Sequence, residues 1–457
     1  MDEFNSILNT SRSLDLLEQV IEYSSLIGGG HLTSVAPIRQ RQDERITQRI
    51  CRRALRVIPD ESLITLQGSE FFIGSVDFMV SQSPEGELNY VVLETNGGSN
   101  RGYTALGRNE LDQVCNGYLE MLDFISDPSP VIIVGHPTKD ILLAEKIILA
   151  ERIRTSIVER GMCQDAKIIR LKDFRGLLND GEGLVILDSY DVLLPALVGS
   201  GERIILNGHP VDAIIGDGVA RRHYQMGRGE RFEVVLANWC FNVTDDKYST
   251  YRAVEMAADK LAAFNVYPFK AWSADTIDDL IEICQRHQDD MELIIKPFQG
   301  SGGAGVHPID KNTPLRLVVE ESMGEYREKF GAWRSPFPYT ICEKVNAYRA
   351  DWRGAEHNYD IRVYVARDGD QLFAVGALFR IALEPHSGGN RKRALVVNLS
   401  GYGGLDIERG LGVSSESLKI TRLSEEDLAN MFAASAVLLT FIAKNHEKIH
   451  QNAVKAG

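Results

Sequence analysis

Three oxygen-bearing side chains early in the chain have the types and spacing of a magnesium site. Glu94 and Asn96 end the apolar segment 90–96, and Asp77 lies in the apolar segment before it, across a short Pro/Gly turn. Residues i and i+2 of a strand point to one face, so Glu94 and Asn96 project together and Asp77 reaches them from the paired strand. Two carboxylates and an amide oxygen suit Mg2+. Residues 71–96 are therefore predicted to form a metal-binding hairpin.

A glycine-rich loop provides the second chemical signal. The apolar segment 292–296 ends at Lys296, and after Pro297 the chain continues with Gly300, Ser301, Gly302, Gly303, Ala304 and Gly305. Glycine lets backbone amides approach phosphate oxygens, and Lys296 adds a positive charge beside them. No Gly-Lys-Ser/Thr follows, so this is not a Walker A motif. We expect a phosphate site here; the alternative is a flexible surface turn.

Two downstream strands carry residues suited to the rest of a nucleotide. Glu343, Lys344 and Val345 follow an apolar run and are predicted to form a hinge between lobes, where backbone groups near Lys344 and Val345 hydrogen-bond an adenine edge. Asp360 and Arg362 share a strand face. Asp360 is expected to accept from ribose hydroxyls, and Arg362 to hold phosphate or a carboxylate. An ordinary salt-bridged strand face is the alternative.

Three further positions extend the set. Lys247 follows Asp246 at the start of a predicted helix and is expected to reach a triphosphate, whereas considered alone it would be a solvated lysine. Arg380 lies in the next predicted strand, and Asn398 precedes a Gly-rich run.

The elements that must position these groups fall into three patterns. Helical spacing precedes the hairpin, alternating strands and helices indicate a parallel α/β domain over 131–237, and antiparallel strands dominate after residue 290. The predicted helices are 11–28, 42–58, 104–125, 139–160, 246–262, 274–287 and an amphipathic 425–450. The predicted strands outside the hairpin are 131–135, 167–171, 184–188, 266–267, 292–296, 338–343, 360–367, 371–380 and 394–399.

Composition excludes several classes of protein. The 457 residues predict two or three domains, and a net charge of −14 makes nucleic acid an unsuitable partner. That charge also requires any triphosphate site to concentrate lysine, arginine, amides and metal locally. The six cysteines are scattered without a CxxC pair, which argues against zinc or a disulfide framework. No apolar run is long enough to span a bilayer and no signal-peptide core is present, so we expect a cytoplasmic protein without a membrane partner.

Taken in order, these motifs resemble the ATP-grasp ligases, and within them the glutamate-adding enzymes. The resemblance covers roughly residues 71–405, and segment 131–237 is similar to the pre-ATP-grasp domain of many members. It implies a mixed α/β, ATP-grasp fold with an additional parallel α/β domain. The implied divisions are 1–127, 128–243, 244–345 and 346–457.

One departure from the family pattern concerns the metal ligands. In those ligases the Asp and Glu-x-Asn element follows the Asn…Gly-Gly strand, whereas here Asp77, Glu94 and Asn96 come first. This order resembles circularly permuted members such as the eukaryotic glutathione synthetases, and permutation is tolerated where chain ends lie close together. The alternative is a plain hairpin, with the metal on Asp406 or Glu408.

The resemblance also implies a reaction. ATP and Mg2+, or Mn2+, would convert a carboxylate to an acyl phosphate that an amine attacks, with Lys296, Arg362 and Arg380 as the catalytic residues. Lys247, Lys296, loop 300–305, residues 343–345 and Asp360 would bind the nucleotide, and the loop would close as a lid.

The substrates are predicted less sharply than the nucleotide. Small-molecule carboxylate and amine substrates are expected, an amino acid or short peptide among them, bound by Asn100, Arg101, Asn398 or the basic loop 386–393. That loop is alternatively a solvated turn. A homodimer is possible, and an ATP-grasp kinase or a non-catalytic nucleotide-binding module remain open alternatives.

Overall fold

A computed structural model describes residues 42–456 except 98–101, 139, 141, 175–180, 201, 217–232, 242–245, 299, 301, 333, 389–390, 396, 398–399, 402–403 and 406–408. The helices are α1 (Glu44–Val57), α2 (Arg108–Leu119), α3 (Leu143–Glu159), α4 (Tyr190–Ala196), α5 (Lys247–Met256), α6 (Ala258–Leu261), α7 (Ile277–His287), α8 (Leu315–Phe330), α9 (Arg391–Leu395), α10 (Ser415–Thr421) and α11 (Glu425–Ala456). The strands are β1 (Ile73–Gln82), β2 (Leu88–Asn96), β3 (Val131–His136), β4 (Asp165–Ile169), β5 (Glu182–Ser189), β6 (Leu197–Ser200), β7 (Arg203–Leu206), β8 (His209–Pro210), β9 (Ala213–Ile215), β10 (Val235–Leu236), β11 (Ala271–Ala274), β12 (Leu293–Lys296), β13 (His307–Ile309), β14 (Tyr339–Glu343), β15 (Ala350–Trp352), β16 (Ala355–His357), β17 (Tyr359–Asp368), β18 (Gln371–Ile381), β19 (Ser400–Gly401), β20 (Gly404–Leu405) and β21 (Gly410–Gly412).

The predicted hairpin, β1 and β2, joins strands from the other end of the chain. It forms an antiparallel sheet of order β2-β1-β17-β18-β21, which we call the large sheet. Ile73 pairs with Ala366 and Phe78 with Ile361 along the β1–β17 border. The apolar alternation of both strands explains this register, because a one-residue slip would move the buried side chains of each strand to its other face. The early hairpin is therefore an integral part of a sheet that the later half of the chain completes.

Helix α11 covers one face of the large sheet. Its side chains Leu428, Phe432 and Leu439 are buried against sheet residues such as Val363 and Phe379. The helix is long and apolar enough to cross a membrane by length and composition, but 78% of its most apolar stretch is buried inside the protein. Burial of this kind is expected of the core helix of a globular fold, and truncating Phe432 to alanine would cost about 3–5 kcal/mol.

The predicted parallel arrangement of strands and helices after residue 131 is confirmed as a parallel sheet. Strands of order β10-β9-β3-β5-β4 run parallel, and α3 packs its apolar face on them. The same apolar cluster continues through α2 to the second face of the large sheet, where Tyr364 and Leu378 are buried. Because parallel strands need crossover connections, the helix-strand alternation after residue 131 was a reliable signal. The overall class, mixed α/β with parallel and antiparallel sheets, is as predicted.

A third sheet, which we call the small sheet, has the order β11-β14-β12-β13. Leu293 and Ile295 point to one face and pack under α7 and α8. Ile294 and Cys342 point to the other face, toward Tyr251 of α5. The strict alternation of β12 thus divides its residues between a helix-covered core and the space facing the large sheet.

Several sequence-based element predictions were wrong. Residues 391–395 form the short helix α9 rather than the start of a strand over 394–399, and neither α8 nor β11 was foreseen. The predicted helix over 104–125 is α2 followed by a 3-10 turn to Phe124, so its type changes at residue 120. The predicted helix 11–28 lies outside the described residues. The errors at α9 and β11 concern short segments, where the apolar period is too brief to decide, whereas α8 is long enough to show helical spacing.

Candidate functional site

A cross-strand row in the large sheet brings three predicted residues together. Asp77 pairs directly with Glu94 on one side and with Arg362 on the other. Residues opposite one another in a sheet point to the same face, so one row places two carboxylates and a guanidinium side by side. Asn96 lies in the next row, opposite Ser75.

The residues around Asp77 form a buried ionic cluster. Arg362 donates through Nε and Nη2 to the two oxygens of Asp77, each at 2.7 Å, and Arg380 adds a 2.7 Å bond from Nη2 to Oδ2. Arg380 also donates to both oxygens of Asp360, through Nε at 2.7 Å and through Nη2. Two guanidinium groups and two carboxylates thus share one network, which fixes the arginines at the floor of the site.

Electrostatics differ between the two acids of this cluster. Burial opposes ionisation of Asp77, but Arg362 and Arg380 together outweigh it and hold the pKa of its carboxyl below the usual range. Burial raises the pKa of Asp360 to about 6, against the opposing pull of Arg380. Asp77 is therefore the firmly ionised anchor, and Asp360 is the group that titrates near neutral pH.

Both predicted lysines converge on the end of the hairpin. Lys247 Nζ lies 2.9 Å from Glu94 Oε1 and donates to the carbonyl of Gly300 at 3.2 Å. Lys296 Nζ donates to the Tyr251 hydroxyl at 2.6 Å. The side chain of Asp246 caps α5 by accepting from the Ser249 amide at 2.7 Å, which sets the helix start from which Lys247 projects. A single ammonium group therefore links the acidic end of the hairpin to the glycine loop.

Tyr251 is a site residue that sequence reasoning missed. Its hydroxyl donates to the carbonyl of Leu93 at 3.0 Å and accepts from Lys296. It therefore connects the small sheet to the residue before Glu94. The only sequence signal was its position four residues after Lys247, which places both on one face of α5.

The glycine loop turns back on itself and is tied to α8. Gly302, Gly303 and Gly305 have positive φ values of 63°, 73° and 74°. The Gly305 amide donates to Glu325 Oε2 at 2.9 Å. The Ser322 hydroxyl donates to the carbonyl oxygen of Gly305 at 2.6 Å. Residues other than glycine rarely adopt such φ values, so the conformation of the loop explains why glycine occupies these positions.

A cavity of about 320 Å³ lies between the small sheet and the hairpin. Its apolar walls come from Met79, Leu93, Phe269, Ile294, Val306, Cys342 and Leu395. Lys296 and the predicted hinge residues Glu343, Lys344 and Val345 line its polar side. An apolar slot with a few polar groups at one side suits a flat heteroaromatic ring. A larger cleft of about 620 Å³ near Ser62 and Lys444 contains none of the predicted site residues.

The backbone amide of Lys344 was expected to be free for an adenine ring, but it is already hydrogen-bonded within the protein. The amide of Lys344 donates to the carbonyl of Glu292 at 2.7 Å, and the amide of Glu343 donates to that of Lys270 at 3.0 Å. These donors already serve the small sheet. A ring in the cavity would therefore meet the backbone of Val345 rather than the amide of Lys344.

Of the three expected metal ligands, Glu94 and Asn96 can offer an oxygen to a cation, whereas the carboxylate of Asp77 is already hydrogen-bonded to arginines. Only Lys247 contacts the Glu94 carboxylate among the described residues, which leaves Oε2 available. The Nδ2 atom of Asn96 and the Oγ atom of Ser75 are buried without a hydrogen-bond partner in the described part of the chain. The Nδ2 group is a donor, so only the amide oxygen of Asn96 could bind a cation. Both oxygens of Asp77, by contrast, already accept from arginines. Glu94 and Asn96 fit a hard cation, whereas Asp77 as placed serves the arginines.

Several predicted residues lie outside the described part of the chain. These are Ser301 of the loop, the substrate candidates Asn100, Arg101 and Asn398, and the alternative metal ligands Asp406 and Glu408. Ala304 and Gly300 are described and belong to the same loop. Within the basic loop, Lys392 contacts Glu325, and His386 lines the cavity.

Comparisons with known proteins give little further information. No protein-family model matches the sequence, and no curated protein matches it. Among solved structures, the chain is similar to a glutathione synthetase-like effector from Globodera pallida, determined in its apo form. The TM-score is 0.41 at 10% sequence identity, and the match covers 83% of this chain and 96% of that chain. At that level of similarity, no activity transfers from one protein to the other.

Proposed function

We propose that this chain is an ATP-dependent ligase of the ATP-grasp type. It would join the carboxylate of an amino acid or peptide to an amine through an acyl phosphate, releasing ADP and phosphate. The observation that carries the proposal is the position of Lys247, whose ammonium group bridges Glu94 and the glycine loop. A triphosphate needs this combination of an acidic metal-binding edge, a lysine and a turn of backbone amides.

The adjoining cavity supports a nucleotide as the ligand. It opens beside Lys296 and is walled by apolar side chains from both the hairpin and the small sheet. In the proposed complex, the adenine ring occupies this cavity against Val345. The phosphates extend past Lys296 and Lys247 toward Glu94, so the γ-phosphate arrives near the ionic cluster.

The proposed chemistry uses the arginines to stabilise charge. A substrate carboxylate oxygen attacks the γ-phosphorus, the bond to the ADP oxygen breaks, and an acyl phosphate forms. An amine nitrogen then attacks the acyl carbon, loses a proton, and phosphate leaves. Arg362 and Arg380 are held rigidly by Asp77 and Asp360, so their guanidinium groups are preorganised for the phosphoryl oxygens.

Magnesium would be held by Glu94 and Asn96, and when bound it supplies Lewis-acid polarisation of the phosphates. Asp77 contributes indirectly in this proposal, because it fixes the arginines. The placement of the hairpin at the start of the chain is then a circular permutation of the family order. The loop 300–305 would close over the phosphates and exclude water.

The proposal is tested by screening amino acids in pairs for Mg2+-dependent ADP release by the purified chain. Glu94→Gln should abolish ADP formation while the far-UV circular dichroism spectrum is retained. The matched control is Glu85→Gln in the exposed turn of the same hairpin, which should keep full activity. ADP release at the native rate by Glu94→Gln would remove Glu94 from the metal site.

A kinase is the second candidate for the same site. The buried arginine pair stabilises a transferring phosphoryl group whether the acceptor is a carboxylate or a hydroxyl. A stable phosphorylated product, with no stimulation of ADP release by an amine, would favour the kinase. Nucleotide binding with no turnover for any substrate pair would favour a non-catalytic module.

A further inference from the structure

A histidine and two glutamates meet behind the glycine loop, outside the site described above. His307 lies on β13, and Glu321 and Glu325 lie one turn apart on α8. Their potential ligand atoms all lie within 4.8 Å of one another. Residues four apart on a helix share a face, so both carboxylates are presented to the histidine together.

The imidazole provides an independent sign that something binds here. His307 is only 7% exposed, and apart from the Glu325 carboxylate, which lies at long hydrogen-bond range and in poor geometry, its Nε2 atom has no polar partner in the described residues. Nε2 lies 3.3 Å from Glu325 Oε2, so it faces the carboxylates. A buried ring nitrogen without a well-formed hydrogen bond is costly, and a bound cation would satisfy it.

We propose that His307, Glu321 and Glu325 bind a divalent cation of the Zn2+, Co2+ or Ni2+ class. Imidazole suits these ions, whereas Mg2+ prefers a shell of oxygen ligands. One neutral imidazole and two carboxylates neutralise the ion. Glu321 is exposed, so the coordination sphere opens to solvent and retains room for water.

Lys392 competes with the ion in this site. Its ammonium group contacts Glu325, the carboxylate that also accepts from the Gly305 amide. Loading of the cation requires Lys392 to leave Glu325, because two positive charges would otherwise share one oxygen. Occupancy of the site would therefore release Lys392 at the back of the glycine loop.

The test titrates Co2+ into the full chain after chelator treatment and follows visible absorption and heat of binding. His307→Gln and Glu321→Gln should each weaken Co2+ binding by about tenfold or more. The control is Glu320→Gln, an exposed neighbour on the same helix, which should bind as the parent does. Lys392→Met should tighten binding, because the competing ammonium group is gone.

Two results would overturn the proposal. One is parent-like Co2+ affinity in both His307→Gln and Glu321→Gln with native circular dichroism spectra. The other is a parent chain that takes up no Co2+. Glu94→Gln separates this site from the proposed ligase centre, since it should retain the Co2+ signal whether or not ADP formation is lost.

Discussion

Arg362 and Asp77 face each other across the β1–β17 border and share two hydrogen bonds of 2.7 Å, although 285 residues separate them in the sequence. The contact holds the hairpin in register and aims the guanidinium group at the floor of the site. One buried pair therefore supports both the sheet and the proposed chemistry. This dual role leads to the first prediction.

Asp77→Asn should destabilise the fold by about 3–5 kcal/mol, because it leaves two buried guanidinium groups short of negative charge. The free energy of unfolding in urea, read by circular dichroism, measures the effect. Asp351→Asn on the exposed side of β15 is the control and should change it by no more than about 0.5 kcal/mol. Equal stabilities of the two variants would contradict the anchoring role.

Lys247→Met should raise the Kd for ATP by about tenfold to a hundredfold, since a charged hydrogen-bond donor near the phosphates is lost. Heat of nucleotide binding to the purified chain gives the value. Lys419→Met, an exposed lysine on α10, provides the comparison and should bind ATP normally. Unchanged affinity in Lys247→Met would place the phosphates elsewhere.

Gly305→Ala should weaken ATP binding and lower stability. Gly305 has φ +74°, and an added Cβ would lie 2.9 Å from the carbonyl oxygen of Ser322. Gly354→Ala has a similar φ of +79° but open space around it, so the pair separates crowding from backbone strain. Thermal unfolding and nucleotide titration of both variants decide the point; equal losses in both would assign the effect to φ alone.

Asp360 should give stability a pH dependence in the acidic range. Its folded-state pKa of about 6 lies above the ordinary value of about 3.9, so the native chain binds more protons than the unfolded chain between these values. The contribution of Asp360 to the free energy of unfolding is therefore largest below that window and declines as pH rises through 6. Asp360→Asn should flatten this slope in urea unfolding measured from about pH 4 to 7; an unaltered slope would assign it to another group.

ADP formation should respond to pH in the opposite direction. Protonation of Asp360 weakens its hold on Arg380, so activity should fall as pH drops below about 6. The rate measured at saturating ATP across this range tests the expectation. A rate that stays level down to pH 5 would show that Arg380 does not depend on the charge of Asp360.

The sequence predicted the site best where a strand-like alternation of residues also contained charged or amide side chains. The i and i+2 rule placed Glu94 and Asn96 on one face, and the Pro/Gly turn placed Asp77 on the neighbouring strand within reach of them. The structure adds the register, which sets Asp77 directly opposite Glu94. The same rule put Asp360 and Arg362 on one face. What it could not give was the partner strand, because nothing local to β1 specifies which distant strand completes its sheet. For that reason Asp77 was predicted to bind metal, whereas its oxygens are occupied by arginines.

Helix α8 was a different kind of omission. Its buried residues Leu315, Val319, Ser322 and Tyr326 follow helical spacing, so the signal was present in the sequence. The prediction assigned no element to the 16 residues of α8, so Glu325 and its contact to Gly305 were missed with the helix. Short α9 was harder, since five residues do not establish a period.

The pairing of β1 with β17 has a consequence for how the protein is made. The hairpin of β1 and β2 is synthesised long before β17, the strand that pairs with β1. Until β17 is made, the apolar edge of β1 has no partner strand. Contacts so distant in the sequence slow folding, because the intervening chain must be ordered before they can form. Nascent chains that stall before residue 359 would thus contain Asp77 and Glu94 but neither Arg362 nor Arg380, and could not form the ionic cluster.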